Sequence, residues 1–405
     1  MEKDTDYFYP DYNDKNFSSN ISNRLEFNID IPKKTGCSSS VFELSSYQIF
    51  LENFISKDTP YRGLLVFHGT GTGKTCTAVT IAERYKDYYH DKNRRIIILA
   101  SNIIEQGWRN NIYNPHRDSN QCTGSEYTNK LDRNTKKLTL KRNQLIDRYY
   151  DFNTYGSFKN NLKKVFEKYD RFEKSIARKR KLRYIREYYS NRLIIIDEVH
   201  NLREASKKDP ESLRYIRLVL KYSKNLKLIL LSATPMFNVN SEIIDILNLL
   251  LINDNRETID INDSTIYTDE DFTQKGKKLL TEKMRGYISY IRGETPDKFP
   301  VRLYPEKKML ITRYPKYDIN NESVTFNKNI LKLFKCEFKG KQLAGYLEES
   351  EKIKNQDSDI SKMNILRQLS NICYPIIDSN YGSSGLKEIF TIDKYQKKNK
   401  KEYIN

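Results

Sequence analysis

The apolar residues of this chain fall into short continuous runs, separated by polar segments and by stretches with helical spacing. Runs that are apolar throughout, rather than alternating, are typical of strands buried on both faces of a parallel sheet. Strands are predicted at 64–67, 96–100, 193–196 and 228–231, and helices between them at 76–89 and 211–222. This alternation predicts an α/β domain whose ligands bind at the carboxyl ends of the strands.

The regions on either side of this domain have other patterns. Residues 1–40 are polar and lack a sustained period, so they predict an N-terminal arm that could gain order only by docking on the rest. The domain itself is predicted to cover residues 41–251 and to begin with a helical pattern that contains Gln48. The sheet pattern then stops, and residues 252–405 predict a mixed α+β C-terminal extension.

A long insertion at about 115–190 interrupts the predicted sheet and is the most basic part of the chain. Twelve Lys or Arg residues and three acidic residues lie between Lys159 and Arg186, with apolar residues interleaved. The spacing suits one long helix or a helical hairpin with a cationic face. That face is either a solvated surface or a contact for nucleic acid, and in the second case Lys179, Arg180 and Lys181 are the candidate contacts.

Composition narrows the class of partner and the compartment. A formal net charge of +18 favours a polyanionic partner, although lysine-rich coding in an AT-biased genome would also raise it. The five cysteines have no paired spacing and signal neither a disulfide framework nor a zinc site, so a reducing compartment is expected. No apolar stretch is long enough to cross a bilayer and no secretory leader is visible, which predicts a soluble intracellular protein with no membrane partner.

A glycine-rich loop directly follows the first predicted strand and directly precedes a predicted helix. The loop consists of Gly69, Thr70, Gly71, Thr72, Gly73, Lys74 and Thr75. Glycines let successive N–H groups point at phosphate oxygens at the positive end of the following helix, which predicts a nucleotide site. Lys74 is expected to reach the β- and γ-phosphates of ATP, and Thr75 to hold Mg²⁺. The general pattern has glycine where this chain has His68.

Two further motifs follow the third and fourth predicted strands. Asp197 and Glu198 end the third strand, and His200 completes a D-E-x-H box. Asp197 is expected to hold the Mg²⁺ that Thr75 also binds, and Glu198 to orient and deprotonate the attacking water. Ser232 and Thr234 follow the next strand. Their hydroxyls are expected to hydrogen-bond the box and to couple the phosphate state to the substrate groove.

These motifs, preceded by Gln48, resemble those of superfamily 2 helicases and nucleic-acid translocases over about residues 40–250. More narrowly, the surroundings of Trp108, Thr154 and residues 286–300 resemble the Swi/Snf-like ATPases of large cytoplasmic DNA viruses, which include poxvirus nucleoside triphosphatase I and the small subunit of the early transcription factor. The resemblance implies a RecA-like fold that uses ATP and Mg²⁺. It also implies that Gln48 contacts adenine and that Thr154 and Tyr155 lie along the nucleic-acid strand.

The chain departs from this group in its C-terminal part. In such motors ATP is cleaved between two RecA-like lobes, and the second lobe supplies an arginine finger. The sequence has no Q-x-x-G-R-x-x-R motif, and the residues after Ile252 are too few for a complete lobe. A second lobe is therefore expected to be absent and to be supplied by a separate chain. Because an arginine finger contributes roughly 10³–10⁵ in rate, slow hydrolysis by the chain alone is expected.

Two functions remain open at this stage. The first is an enzyme: a nucleic-acid-dependent ATPase, a viral DNA translocase or helicase-like protein acting in transcription, with DNA favoured over RNA. The second is a binding module: an ATP-gated DNA-binding subunit for transcription initiation with little hydrolysis of its own. The resemblance implies that either would work with viral RNA polymerase machinery and would be found in the virion and the host cytoplasm.

Overall fold

The structure is a computed structural model of the 405-residue chain. It describes residues 9–28, 43–92, 94–117, 121–131, 137–202, 210–236, 239–268, 271–292, 307–311, 316–317, 323, 334–354 and 360–372. The chain divides into two compact units, Met1–Phe299 and Pro300–Asn405.

A six-stranded parallel sheet forms the centre of the first unit. The strands are β1 (Gly63–His68), β2 (Ile96–Leu99), β3 (Tyr150–Asn153), β4 (Leu193–Ile196), β5 (Lys227–Ser232), β6 (Tyr267–Thr268), β7 (Asp271–Phe272) and β8 (Ile288–Ile291). Their order in the sheet is β3-β2-β4-β5-β1-β8, while β6 and β7 form a separate antiparallel pair. The predicted α/β fold with a phosphate loop after the first strand is confirmed.

Helices pack around this sheet. In chain order they are α1 (Phe17–Ser22), α2 (Ser46–Phe54), α3 (Lys74–Asp91), α4 (Asn102–Ile112), α5 (Leu138–Asp147), α6 (Tyr155–Asp170), α7 (Lys174–Tyr189), α8 (Pro210–Tyr222), α9 (Glu242–Asn253) and α10 (Gln274–Met284). The basic segment forms two helices, α6 and α7. Of the two predicted forms, one long helix or a helical hairpin, the structure has the hairpin. No described helix combines the length and the apolar character needed to cross a membrane.

The sheet contains two strands that the sequence analysis missed. β3 lies within the predicted insertion and pairs with β2, and β8 lies beyond residue 251 and pairs with β1. The expectation that the sheet ends before residue 252 was therefore wrong. Both are edge strands, and most of their residues are only partly buried. They carry polar residues and lack the continuous apolar pattern that marks the four inner strands.

Part of the predicted N-terminal arm belongs to the core. Tyr12, Phe17 and Phe27 are buried, and the ring of Tyr12 stacks on that of Tyr287 with centroids 4.3 Å apart. Gly286 makes this docking feasible, because its φ is +76° and a Cβ there would lie 2.5 Å from the Tyr12 ring. The described residues 9–28 therefore gain order by burying aromatic rings, as docking of a polar arm requires.

The second unit contains two helices, α11 (Gly340–Lys354) and α12 (Ile360–Asn371). Gln342 Nε2 donates to the carbonyls of Leu369 and Ser370, each at 3.0 Å, and so caps the end of α12. Leu310 and Phe334 form an isolated antiparallel bridge. The described residues of this unit contain no parallel sheet.

The prediction for the cysteines needs a correction. Cys76, in the first turn of α3, forms a disulfide with Cys122, which lies 46 residues further along the chain. The two Cα atoms are 5.4 Å apart because the segment around Cys122 packs beside α3. This proximity is tertiary, so sequence spacing did not reveal it.

Candidate nucleotide site at the carboxyl edge of the sheet

The sequence motifs meet at one edge of the sheet because their strands are parallel neighbours. β1 leads into the glycine-rich loop, β4 ends before Asp197, and β5 ends at Ser232. The strands lie side by side in the order β4-β5-β1. Their carboxyl ends therefore bring the three motifs together, at the edge where ligands bind in open parallel sheets.

The glycine-rich loop has the backbone conformation that phosphate binding requires. Gly71 and Gly73 have φ values of +76° and +85°, in the left-handed region that glycine adopts without steric cost. Thr72 Oγ1 donates to the Gly69 carbonyl at 2.7 Å, and the Tyr47 hydroxyl donates to the Thr72 carbonyl at 2.5 Å. Gly73 caps the 18-residue helix α3, so the positive end of the helix dipole points at the loop.

Lys74, the first residue of α3, lies over the loop and faces the acidic box. Its Nζ donates to the carbonyls of His68 at 3.0 Å and Gly69 at 3.1 Å. Burial lowers the pKa of Lys74, and the negative charges of Glu198 and Asp197 oppose this shift. The ammonium group is therefore within electrostatic reach of both carboxylates.

Gln48 lies beside the loop as the third residue of α2. Its Oε1 accepts hydrogen bonds from Ser45 N at 2.9 Å and Ser45 Oγ at 3.0 Å, which completes a capping box. Its Nε2 faces Gly73, where a Cβ would approach it to 3.2 Å. The structure thus brings Gln48 to the phosphate loop, and contact with adenine remains a prediction.

His68, which stands where the general loop pattern has glycine, is fully buried at the end of β1. Its Nε2 lies 2.8 Å from Ser289 Oγ on β8, and its ring meets that of Tyr47 edge-on. Burial lowers the pKa of His68 to about 4, and the charge of Lys74 adds to this shift. The imidazole is therefore neutral near pH 7, and the departure from glycine is explained by packing against β8.

Asp197 is a buried carboxylate held by two hydrogen bonds. Trp108 Nε1 donates to its Oδ2 at 2.7 Å, and the backbone N–H of Glu198 donates to its Oδ1 at 2.9 Å. Burial raises the pKa of Asp197, while the hydrogen bond from Trp108 opposes this shift. The sequence analysis used Trp108 only as a sign of resemblance. As the single tryptophan of the chain, it was the one signal that could have suggested this contact.

The D-E-x-H box and the Ser232 motif are joined through one histidine nitrogen. His200 Nδ1 lies 3.3 Å from Glu198 Oε2 and 3.0 Å from Ser232 Oγ. Glu198 has a φ of +50°, a left-handed conformation that is strained for a residue with a Cβ. The backbone N–H of Thr234 donates to Ser232 Oγ at 3.1 Å, while Thr234 itself is exposed.

The two residues expected along the nucleic acid are both engaged within the domain. Thr154 Oγ1 accepts a hydrogen bond from Ser157 N at 3.0 Å and so caps α6. The Tyr155 hydroxyl donates to the carbonyl of Asp197, and it also lies 3.2 Å from the carbonyl of Glu198. Burial raises the pKa of Tyr155, which keeps the hydroxyl protonated as a donor. The structure thus connects Tyr155 directly to the box.

The three cations proposed for nucleic acid lie on the α6–α7 hairpin and differ in their surroundings. Lys181 pairs with Asp170, and Arg180 lies over the Phe172 ring at 3.9 Å. Lys179 is exposed. Lys181 and Arg180 therefore contact other residues of the hairpin, whereas Lys179 faces solvent.

The oxygen donors at this edge fit a magnesium ion bound together with ATP. Thr75, the second residue of α3, offers a hydroxyl and Asp197 a carboxylate. The described part of the chain has no cluster of three or more His, Cys, Asp or Glu residues that could hold a metal ion. Mg²⁺ is usually bound by one or two carboxylates together with substrate phosphates and water.

The chain is similar over this region to a known family and to proteins of large DNA viruses. Residues 41–237 match the family model described as "Type III restriction enzyme, res subunit". This match and the viral relatives make residues 41–237 similar to helicase-like domains, in agreement with the loop, the box and the Ser232 motif.

The relatives include "Putative ATP-dependent RNA helicase L377" of Acanthamoeba polyphaga mimivirus, 33% identical over 65% of this chain and 24% of its own length. "Putative helicase 009L" of Frog virus 3 is 31% identical over 62% of this chain and 24% of its own length. "Putative ATP-dependent RNA helicase R563" of the mimivirus is 28% identical over 72% and 49%. The chain thus spans half or less of the length of these relatives.

Among solved structures, the SWI2/SNF2 ATPase core of Sulfolobus solfataricus in complex with dsDNA matches 86% of this chain and 64% of its own. The TM-score is 0.35 and the sequence identity is 14%. The similarity to helicase-like domains is therefore carried by the family match and the viral relatives.

Proposed function

We propose that this chain is the ATP-binding part of a nucleic-acid-dependent ATPase, a viral DNA translocase or helicase-like protein that acts in transcription. The observation that carries the proposal is the position of His200 Nδ1, within 3.3 Å of Glu198 and 3.0 Å of Ser232. A nucleotide-binding domain without a motor role has no need for a histidine shared between its water-activating carboxylate and a neighbouring strand end.

The loop and α3 bind and orient the nucleotide in this proposal. Backbone N–H groups of residues 69–75 and the Lys74 ammonium receive the phosphate oxygens, and Gln48 meets the adenine. Thr75 and Asp197 would hold Mg²⁺, which would supply neutralisation of phosphate charge. Trp108 keeps Asp197 in one orientation, since it donates to the oxygen that the Glu198 amide does not bind.

Glu198 accepts the proton of the attacking water. Its strained backbone holds the side chain at the end of β4, on the side of Lys74 and the loop. A carboxylate held in this way acts as a general base without first having to be ordered, which lowers the entropic cost of the step.

His200 and Tyr155 couple this chemistry to the rest of the domain. Glu198 and Ser232 lie on the same nitrogen of His200, so a shift toward one weakens the contact with the other. Tyr155 starts α6 and donates to the backbone of the box, and thus links the box to the basic hairpin. A movement of the hairpin on nucleic acid would therefore be transmitted to Asp197 and Glu198 through one hydroxyl.

The proposed nucleic-acid contact uses the charge of the hairpin that is not already paired. Lys179 and the other exposed cations of α7 neutralise backbone phosphates and release counterions, which favours binding at moderate salt. DNA is the proposed strand, although two of the viral relatives carry RNA helicase in their names. A second RecA-like lobe with an arginine finger is proposed to come from another polypeptide segment or chain.

The experiment that tests this function is the Glu198→Gln substitution. The variant keeps the size and polarity of the side chain but removes the base, so ATP binding should persist while hydrolysis falls by roughly 10²–10⁴-fold. Phosphate release is measured with a polypeptide carrying a second RecA-like lobe added, in the absence and presence of single-stranded DNA, duplex DNA and RNA. Glu257→Gln is the matched control, because Glu257 is an exposed acid outside the motifs.

Normal hydrolysis by Glu198→Gln would rule out Glu198 as the base. If the unaltered chain binds ATP and DNA yet releases no phosphate above background with any nucleic acid, even when a polypeptide with a second RecA-like lobe is added, the ATP-gated transcription initiation subunit replaces the ATPase as the better proposal.

A further inference from the structure

A strongly cationic cavity lies at the amino edge of the sheet, on the side opposite to the nucleotide site. Its volume is about 280 Å³, which accommodates a phosphate or diphosphate group. It is lined by His90, Arg94, Arg95, Arg148, Tyr188 and Arg192. None of these residues belongs to a motif that the proposed ATPase uses.

The topology explains why these arginines converge. Arg148 precedes β3, Arg94 and Arg95 precede β2, and Arg192 precedes β4. These three strands are neighbours in the order β3-β2-β4. Because the strands are parallel, their amino ends meet at one edge, and residues that are far apart in sequence form one cluster.

Two of the arginines have clear partners within the fold. Arg94 caps the end of α7, because it donates to the carbonyls of Glu187 at 2.8 Å and of Tyr188 and Ser190 at 2.9 Å. Arg95 donates to a backbone carbonyl and lies 3.5 Å from a carboxylate oxygen of Asp151. Folding alone accounts for both positions.

Folding does not account for Arg192. Only 6% of its surface is exposed, and its Nε is buried without a hydrogen-bond partner. Its Nη1 donates weakly to the Arg95 carbonyl at 3.4 Å, and its guanidinium lies 4.3 Å from the centre of the Tyr188 ring. Burial lowers the pKa of Arg192 and the charge of Arg94 adds to this shift, while Tyr188 and the Asp151 carboxylate oppose it. A buried guanidinium without a carboxylate contact is costly unless an anion neutralises it.

A second cavity shows what a fully compensated charged site looks like in this domain. It lies along α3, has a volume of about 450 Å³, and is lined by both acids and bases. There Lys86 contacts Glu83 at 2.6 Å and Glu126 at 2.9 Å, while Arg84 pairs with Glu52. In the arginine cavity, by contrast, no described carboxylate contacts Arg148 or Arg192.

We propose that the arginine cavity is a second anion site, in which Arg148 and Arg192 bind a phosphate group. The site lies at the amino ends of the strands, whereas the ATP site lies at their carboxyl ends. Guanidinium groups bind phosphate oxygens through paired N–H donors, and the exposed position of Arg148 lets a ligand reach it. The phosphate comes either from a nucleic-acid backbone or from a free polyphosphate, since the recognising chemistry is the same.

The first test titrates inorganic pyrophosphate into the full chain carrying Lys74→Ala, so that the phosphate loop contributes little, and measures affinity by calorimetry. Arg148→Gln should weaken binding by about 10-fold, and Arg192→Gln by about 10-fold or more, because each removes a charged donor. Arg214→Gln is the matched control, since it removes an exposed arginine on α8. It should leave the affinity unchanged.

Equal pyrophosphate affinity in all four proteins would overturn the proposal. If Arg192→Gln does not fold, the exposed Arg148 decides the question alone, because its replacement removes no packing. Equal weakening by Arg148→Gln and Arg214→Gln would also overturn it, since it would reveal a general charge effect.

The second test identifies the source of the phosphate. Binding of a single-stranded DNA oligonucleotide to the otherwise unaltered chain is followed by fluorescence anisotropy at several salt concentrations. If the DNA backbone occupies the cavity, Arg148→Gln lowers the magnitude of the salt slope by about one. If a free polyphosphate is the ligand, DNA binding is unchanged while pyrophosphate binding is still weakened.

Discussion

Charged groups are arranged differently at the carboxyl ends and at the amino ends of the strands in the central sheet. At the carboxyl edge the charged and polar groups contact one another: Asp197 accepts from Trp108, and His200 lies between Glu198 and Ser232. At the amino edge, Arg192 is buried with an unpartnered Nε, and Arg148 adds a second guanidinium. The same parallel strands form both ends of the sheet. The difference in charge arrangement therefore comes from the residues that follow the strands and from those that precede them.

This difference separates two ways of binding an anion. At the carboxyl ends of the strands, internal hydrogen bonds fix the positions of the groups that we propose to be catalytic, as preorganised electrostatic catalysis requires. At the amino ends of the strands, the guanidinium groups of Arg148 and Arg192 have no carboxylate contact and would attract an anion instead. Groups held by internal hydrogen bonds suit the proposed hydrolysis of ATP, whereas arginines without a carboxylate contact suit binding of a phosphate.

Among the substitutions that test this comparison, Lys74→Ala has the largest expected effect. Removing a charged donor to the phosphates should weaken ATP binding by roughly 10²-fold, measured with a fluorescent ATP analogue. The same substitution should leave pyrophosphate binding at the amino ends of the strands unchanged. Arg148→Gln should weaken pyrophosphate binding there and leave ATP binding unchanged. If either substitution weakened both kinds of binding equally, the two edges would not be separate anion sites.

A smaller effect is expected from Trp108→Phe, which removes the hydrogen bond to Asp197. Because that bond opposes the burial that raises the pKa of Asp197, its loss raises this pKa further. Asp197 then stays protonated to higher pH, so the acidic limb of the hydrolysis profile should move upward, with rates on that limb about 5-fold lower.

The control for Trp108→Phe is thermal unfolding at each pH, which separates loss of fold from protonation. A profile that is uniformly lower but unshifted would mean that Trp108 only supports packing.

The smallest effect is expected from His68→Gln, which perturbs the contact between β1 and β8. The pKa of His68 is lowered to about 4 from 6.5, so between these values the unfolded chain binds a proton that the folded chain does not. This histidine therefore makes the free energy of unfolding fall as pH falls from about 7 to 5. The variant should lose about 1 kcal/mol near pH 7.5, measured by denaturant unfolding, and the gap should narrow as pH falls.

A gap between His68→Gln and the unaltered chain that stayed constant from pH 7.5 to about pH 5 would show that the burial of His68 does not govern this pH dependence. ATP affinity should be the same in both proteins, since the side chain of His68 points toward Ser289.

The sequence was sufficient to predict the inner part of the sheet and the order of the motifs. The strands β1, β2, β4 and β5 are buried on both faces, and such burial leaves a continuous apolar run that is readable without a structure. The loop at residues 69–75 was equally readable, because its glycines and Lys74 are contiguous. Its position between β1 and α3 is as predicted.

The sequence pattern did not predict the outer strands β3 and β8 or the contacts between the motifs. β3 and β8 are partly exposed, so their residues show no apolar run, and β8 is recognised only by its pairing with β1. Part of the N-terminal arm is buried through Tyr12 and Phe17, whose partners lie far away in the chain. The disulfide of Cys76 and Cys122 was missed for the same reason.

By itself, then, the sequence determined a phosphate loop, an acidic box and a basic helical segment on an α/β core, because each is encoded by residues close together in the chain. Only the tertiary structure decided that one nitrogen of His200 serves both Glu198 and Ser232, and that Tyr155 contacts the box. It also decided that arginines from three strand starts share one cavity. These arrangements depend on strand order and direction, which bring distant residues together and which no local pattern encodes.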